Sequence, residues 1–386
     1  MDFSLSEEQS LLKDSISKYL TKDYDFQERR KLAASEHGFG ASHWANFAEL
    51  GWLSVPFEEE MGGYGGQIED IAVVFETFAK ALVLEPFLAC VMLSGKLLAR
   101  AGEAKAVGSI IDGSQQWALA ALERQSGQNF HDVLSTATST AGGFILNGTK
   151  VLVMNGGAAN SFVISARTSG AQLDRAGVSL FAVEADSVGL HRTAIPLMDG
   201  SRTATIVLDN VELPGSAVLG ELDEGYPALE AVIQEARIAV CAEAVGIIDT
   251  LCDKTVEYSK TRTQFGVSIG SFQALQHRMV DMLMAAQQSR SILYRAICEF
   301  QQRDDSAAAT IAAMKALVGK HGRHVGEEAI QLHGGMGMTD ELDIGHYVKR
   351  LMVLNQLFGN ADTSLREFCA FTYPSGSGET TASAVS

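Results

Sequence analysis

Hydrophobic positions change their rhythm twice along the chain. Near the start, Leu12, Ile16, Tyr19 and Leu20 fall on one helical face, and Trp44, Phe47 and Leu50 repeat the pattern before Gly51. Ser6 and Gln9 have capping-box spacing just ahead of the first helix. After the turn-rich MGGYGGQ, residues 68–100 predict two more helices around Pro86. From Trp117 to Leu219 the pattern shortens. FILNGTKVLVM, SFVISAR, VSLFAVEA and TATIVLDNVEL are rich in β-branched and aromatic residues and are parted by Asn-Gly, Gly-Gly and Asp-Gly. Asn147-Gly148 is the strongest hairpin signal. Short strands without helices between them predict an antiparallel barrel or sandwich.

Helical spacing returns after Gly225. Leu229, Val232, Ile233, Val240, Ala244, Ile247 and Leu251 mark one helix, and Leu275, Met279, Met282, Leu283 and Ala286 a second. Residues 306–330 and 351–371 supply a third and a fourth. The expected class is α+β: an N-terminal helical domain over 1–116, a middle antiparallel β domain over 117–220 and a C-terminal four-helix bundle over 221–372. Residues 373–386 are low-complexity and expected to be disordered.

Composition narrows the function. A formal net charge of −17 argues against nucleic acid or an anionic membrane surface as partner. No apolar run has the length of a membrane span. Five cysteines without C-x-x-C spacing, and no signal peptide, make the cytoplasm the expected compartment. GGYGG follows no strand, so it reads as a loop rather than a dinucleotide fingerprint. His321 and His324 precede Glu327 and Glu328, but no further ligand cluster is visible, and no metal site is expected.

Four stretches carry a resemblance. LGWLSVPFEEEMGGYG, KVLVMNGGAANSFVISAR, an Arg-x-x-Phe-Gly motif followed by a glutamine, and QLHGGMGMTDEL occur in order. With the helix–sheet–helix sequence of elements, they resemble the acyl-CoA dehydrogenase family from residue 1 to about 371. The resemblance implies α,β-dehydrogenation of an acyl-CoA thioester with FAD, and electron-transfer flavoprotein or a similar acceptor for the electrons. In the family the matching residues, here Arg262, Phe265, Gln273, Gln331, Gly334 and Gly335, reach the FAD of a neighbouring subunit. Their chemistry suits that role, since a guanidinium grips a pyrophosphate and glycines let backbone N–H groups come close.

The same resemblance exposes a gap. The family's usual base, a glutamate after an aromatic residue, falls on Gly359, which follows Phe358 and keeps only its backbone N–H. A second base position used in the family, beside a helix arginine matching Arg237, falls on Ala236. Glu235, one residue off, and Asp362, three residues past Gly359, are the nearest acids. Where family hairpins carry a tryptophan and a hydroxyl residue against the flavin, this chain has Leu152 and Met154. Leu122-Glu123-Arg124 replaces Thr-Glu-Pro. The expected role is one subunit of a heteromeric enzyme. The alternatives are a self-sufficient homo-oligomer using Asp362 or Glu235, a flavin monooxygenase or oxidase, and a non-catalytic acyl-CoA binder.

Overall fold

A computed structural model describes residues 4–373. The expectation for residues 374–386 lies outside the described residues.

The N-terminal region holds helices α1 (Glu7–Asp23), α2 (Phe26–Ala34), α3 (Ala41–Glu49), α4 (Ile68–Ala79), α5 (Lys96–Arg100) and α6 (Ala104–Ile111). The capping box before α1 is reciprocal: Gln9 N–H donates to Ser6 Oγ, and Ser6 N–H to Gln9 Oε1, each at 3.1 Å. Beyond Pro86 the chain is π-helical over Phe87–Gly95 before tightening into α5. In that segment the Ser94 hydroxyl donates five residues back, to Ala89 O.

The middle region has strands β1 (Trp117–Ala120), β2 (Thr136–Thr140), β3 (Gly143–Met154), β4 (Ser161–Arg167), β5 (Val178–Glu184), β6 (Leu190–Pro196), β7 (Arg202–Pro214) and β8 (Val218–Leu219). They form one sheet in the order β6-β7-β3-β2-β4-β5-β8, with β1 beside β4. All pairings are antiparallel except β1 with β4 and β2 with β4, so the expected antiparallel domain is a mixed sheet.

The hairpin expected at Asn147-Gly148 is not there. These residues lie inside β3, where the register against β7 shifts between Leu146 and Gly148. The turn sits earlier, at 141–142, between β2 and β3. Asn147 directs its side chain to Asn210, accepting that N–H at 2.8 Å. A Cβ on Gly148 would lie 2.2 Å from Ser135 Oγ, so glycine there permits a close approach rather than a turn.

The C-terminal region comprises α7 (Gly225–Thr261), a short ribbon of β9 (Thr263–Gln264) and β10 (Val267–Ser268), α8 (Gln273–Gln301), α9 (Ala307–His333), α10 (Ile344–Gln356) and α11 (Ala361–Thr372). The expected fourth helix over 351–371 is therefore two helices. They part at Phe358 and Gly359, whose φ angles of 58° and 107° cannot continue a right-handed helix. One apolar core joins the N-terminal helices to the bundle, with α7 at its centre, and the sheet keeps a smaller core of its own. A buried ionic strap ties the parts together. Arg350 on α10 binds Glu243 on α7 at 2.6 and 2.8 Å and Asp199 in the β6–β7 turn at 2.9 Å. Arg29 on α2 donates to the Asp199 carbonyl at 2.5 Å.

Candidate active site and cofactor-facing end

A cavity of about 650 Å³ lies between the sheet and the bundle. Leu119, Val151, Leu152, Met154, Leu197 and Met198 furnish its sheet-side wall, and α9, α10 and Phe358 close the other side. The wall is shaped by a second bulge in β3, between Lys150 and Val153, where Leu152 takes φ 54°. Thr203, also on the wall, keeps a buried hydroxyl with no partner. A chamber of this size, mostly apolar with an unanswered polar atom, suits a planar ring with polar edges.

Beneath it, Lys150 and Glu123 form a buried pair at 2.7 Å. Burial pushes the Glu123 carboxyl up, but Lys150 and the hydrogen bonds from Gln125 and Ser135 outweigh it and hold it at about 2. Burial lowers Lys150 to about 8 against the pull of Glu123. Glu123 also accepts the Leu134 and Ser135 N–H groups at 2.9 and 3.0 Å. It thus pins both ends of the loop from Glu123 to Ser135. The Leu122-Glu123-Arg124 stretch matters through this anchoring role, which its sequence did not reveal.

The loop between α10 and α11 carries the position of interest. Arg237, buried on α7, donates through Nε to Phe358 O at 2.9 Å and through a terminal nitrogen to Glu367 at 2.8 Å. On the far side, Gly359 N–H donates to the Gln128 side-chain oxygen at 3.1 Å. Asn360 caps α11 by accepting Thr363 N–H at 2.9 Å.

Neither expected acid stands at this place. Glu235 is on the flank of α7 held by Lys96 at 3.0 Å and Arg100 at 2.7 Å, away from the cavity. The turn of about 100° that separates it from Ala236 sends it to the N-terminal helices. Asp362 is exposed in the first turn of α11, where the helix dipole favours an acid. Among the described residues, the cavity wall has one carboxylate, Glu327, exposed and paired with Arg323 at 2.7 Å. Sequence reasoning missed Glu367. It lines a smaller pocket of about 190 Å³ together with Arg237 and Glu230. It belongs to no motif, and its place on a helix gave no signal; only the contact with Arg237 does.

The six residues expected at a cofactor lie elsewhere, at one end of the bundle. Arg262 ends α7, and its exposed guanidinium makes no hydrogen bond among the described residues. The ribbon turns at Phe265 and Gly266, with φ of 54° and 85°, and leaves Phe265 93% exposed. A bulky residue held left-handed and bare in solvent is a mark of function rather than stability. Gln273 opens α8, exposed. Gln331 lies on the last turn of α9, and Gly334 and Gly335 follow with open space where a Cβ would stand. Tyr258 stacks on His333 at 4.3 Å, so the ends of α7 and α9 are fixed side by side. The Gly334 N–H donates to Gln331 O, so what this end offers is a cationic residue, a bare aromatic ring and glycines without a Cβ to bar close approach, a set that fits the pyrophosphate and adenine end of a dinucleotide. No group of three or more metal-ligating side chains occurs among the described residues, and the His321 ring is engaged by Ser289 at 3.0 Å.

Models of the N-terminal, middle and C-terminal domains of acyl-CoA dehydrogenase match residues 6–106, 118–211 and 223–370. The chain belongs to the acyl-CoA dehydrogenase family. Among its relatives in the family is the L-prolyl-[peptidyl-carrier protein] dehydrogenase of Serratia sp. (strain ATCC 39006). It is 28% identical over 381 residues, covering 96% of this chain and 97% of that one. The FAD complex of PigA is a similar solved structure, with a TM-score of 0.89, 28% identity, and coverage of 96% and 99%. The Tcur3481-Tcur3483 steroid ACAD is another, with a TM-score of 0.85, 25% identity, and coverage of 96% and 98%. Among the described residues of this family member, no helix is long and apolar enough to cross a membrane.

Proposed function

We propose that this chain is the base-lacking subunit of a heteromeric, FAD-dependent acyl-CoA dehydrogenase. One observation carries the reading: the loop at Gly359 has no carboxylate of its own and its backbone N–H is bonded to Gln128, while the residues expected at a dinucleotide stand exposed at the far end of the bundle. FAD, when bound, would supply the acceptor for a hydride from the acyl β-carbon. Arg262, Phe265, Gln273, Gln331, Gly334 and Gly335 would hold the pyrophosphate and adenine end of an FAD shared with a facing subunit. That subunit supplies the carboxylate that takes the α-proton. At Leu152 and Met154 the wall of this chain's own cavity is apolar, and the unpartnered hydroxyl on that wall is Thr203's instead. A general base is worth about 10²–10⁴ in rate, so the lone chain turns over poorly. Electron-transfer flavoprotein or a similar acceptor takes the electrons onward.

The test is purification of the chain alone and with a related, glutamate-bearing subunit, followed by measurement of bound flavin and of turnover with an artificial acceptor. Stoichiometric FAD and brisk turnover in the lone chain would overturn the proposal. A second reading, a self-sufficient dehydrogenase, has one observation in its favour: Glu367 stands 2.8 Å from Arg237, beside the Gly359 loop. Loss of lone-chain turnover in Glu367→Gln would establish it.

A further inference from the structure

On the acyl-CoA reading, the Gly359 N–H is the donor this loop has left to offer a thioester carbonyl, yet it is already occupied. Gln128 accepts it at 3.1 Å through a side chain 231 residues away in sequence. An amide donor must meet the oxygen of the carboxamide, so a neutral carbonyl sits where a substrate carbonyl would.

Both partners are held in place from behind. Gln128 rides on the loop anchored by the buried Glu123–Lys150 pair, and Ser126 tightens that loop by donating to Asp132 O at 2.7 Å. Gly359 is fixed by the Arg237 bond to Phe358 O on one side and the Asn360 cap on the other. The contact also divides space. Gln128 and Phe130 line both the 650 Å³ apolar cavity and the 190 Å³ polar pocket, and the Phe130 and Phe358 rings lie 6.3 Å apart across the divide.

We propose that Gln128 is an internal latch that stands in for the acyl carbonyl and closes this chain's own thioester site. The inference rests on the acyl-CoA reading above. A carboxamide oxygen is a better acceptor than a thioester oxygen, so a ground-state thioester gains nothing by displacing it. An acceptor bearing developed negative charge makes a bond roughly twice as strong and would displace it. The latch therefore acts on ground-state binding: a thioester that enters finds its carbonyl without this donor until charge has developed on the oxygen.

Hydrogen–deuterium exchange and calorimetry on the purified full chain test this. In Gln128→Ala the peptide covering Phe358–Asn360 should exchange about ten-fold faster than in the parent, as expected for loss of one hydrogen bond. In Gln128→Glu, which keeps the length and adds charge to the acceptor, it should exchange more slowly. The ligand probes are acetyl-CoA and its thioether analogue S-ethyl-CoA, which lacks the carbonyl. The parent should bind the two equally, and Q128A should prefer acetyl-CoA by about ten-fold. Unchanged exchange in both variants overturns the latch while leaving the acyl-CoA reading intact. So does a parent that already prefers acetyl-CoA. Changed exchange with no binding of either compound overturns the acyl-CoA reading, and with it the role of the latch.

Discussion

The two ends of the C-terminal bundle are opposites. At the end expected to meet a cofactor, Arg262, Phe265, Gln273, Gln331, Gly334 and Gly335 are exposed, and among the described residues the Arg262 guanidinium has no partner. At the Gly359 end the polar groups have found partners within the chain: Phe358 O has Arg237, Gly359 N–H has Gln128, and Arg237 has Glu367. Recognition is left open and chemistry is closed. A subunit that completes another's site should be built this way, because exposed polar groups cost little in the free chain and find their partners on assembly.

The largest expected effect comes from undermining the closed end. Glu123→Gln leaves Lys150 buried without its counter-charge, and should cost about 3–5 kcal/mol in denaturant unfolding. An unchanged midpoint would show that the loop does not depend on the pair. The same group sets an acid limit. Its folded pKa of about 2 lies below the ordinary 4.5, so its stabilisation is complete above pH 4.5 and drains away as pH falls towards 2. A melting temperature that fell on acidification in the parent and less so in Glu123→Gln is the expected outcome.

Next comes an attempt to open the closed end by adding a base. Gly359→Glu places a side chain where φ is 107° and its Cβ 3.1 Å from Ser364 Oγ and 3.3 Å from Thr363 Oγ1. The strain should cost about 1–3 kcal/mol, and lone-chain turnover should not appear. Brisk turnover in this variant would erase the contrast between the ends.

Arg262→Ala sharpens the comparison from the other side. Removing an exposed guanidinium that has no partner among the described residues should leave stability within about 0.5 kcal/mol. Flavin retention by the assembled enzyme, followed by absorbance after gel filtration, should fall. The smallest effect belongs to Glu327→Gln. Its exposed pair with Arg323 is screened by solvent and contributes little to stability, and turnover of the assembly should not change. A loss of rate there would make the cavity's carboxylate the base.

Much of this was legible in the residues. The capping box at Ser6, the long helices and the strand-rich middle are local patterns, read from neighbours within four positions. The motif residues around Arg262 and Gly334 were legible as identities, and their exposure follows from helix-end chemistry. The missing glutamate could be seen, but not what replaced it.

What the sequence could not decide were contacts between distant parts. Asn147-Gly148 has the chemistry of a turn, and became a bulge because Asn210 and Ser135 claimed it. The fourth helix broke because Arg237, 121 residues earlier, holds Phe358 in a left-handed conformation that no local rule favours. Glu235 was taken by two cations of another domain, and the Gly359 amide by Gln128. Local preferences differ by about 1 kcal/mol per residue, while a buried polar group left without a partner costs as much or more. Where the two compete, the fold satisfies the buried group, and that choice exists only once the chain has closed on itself.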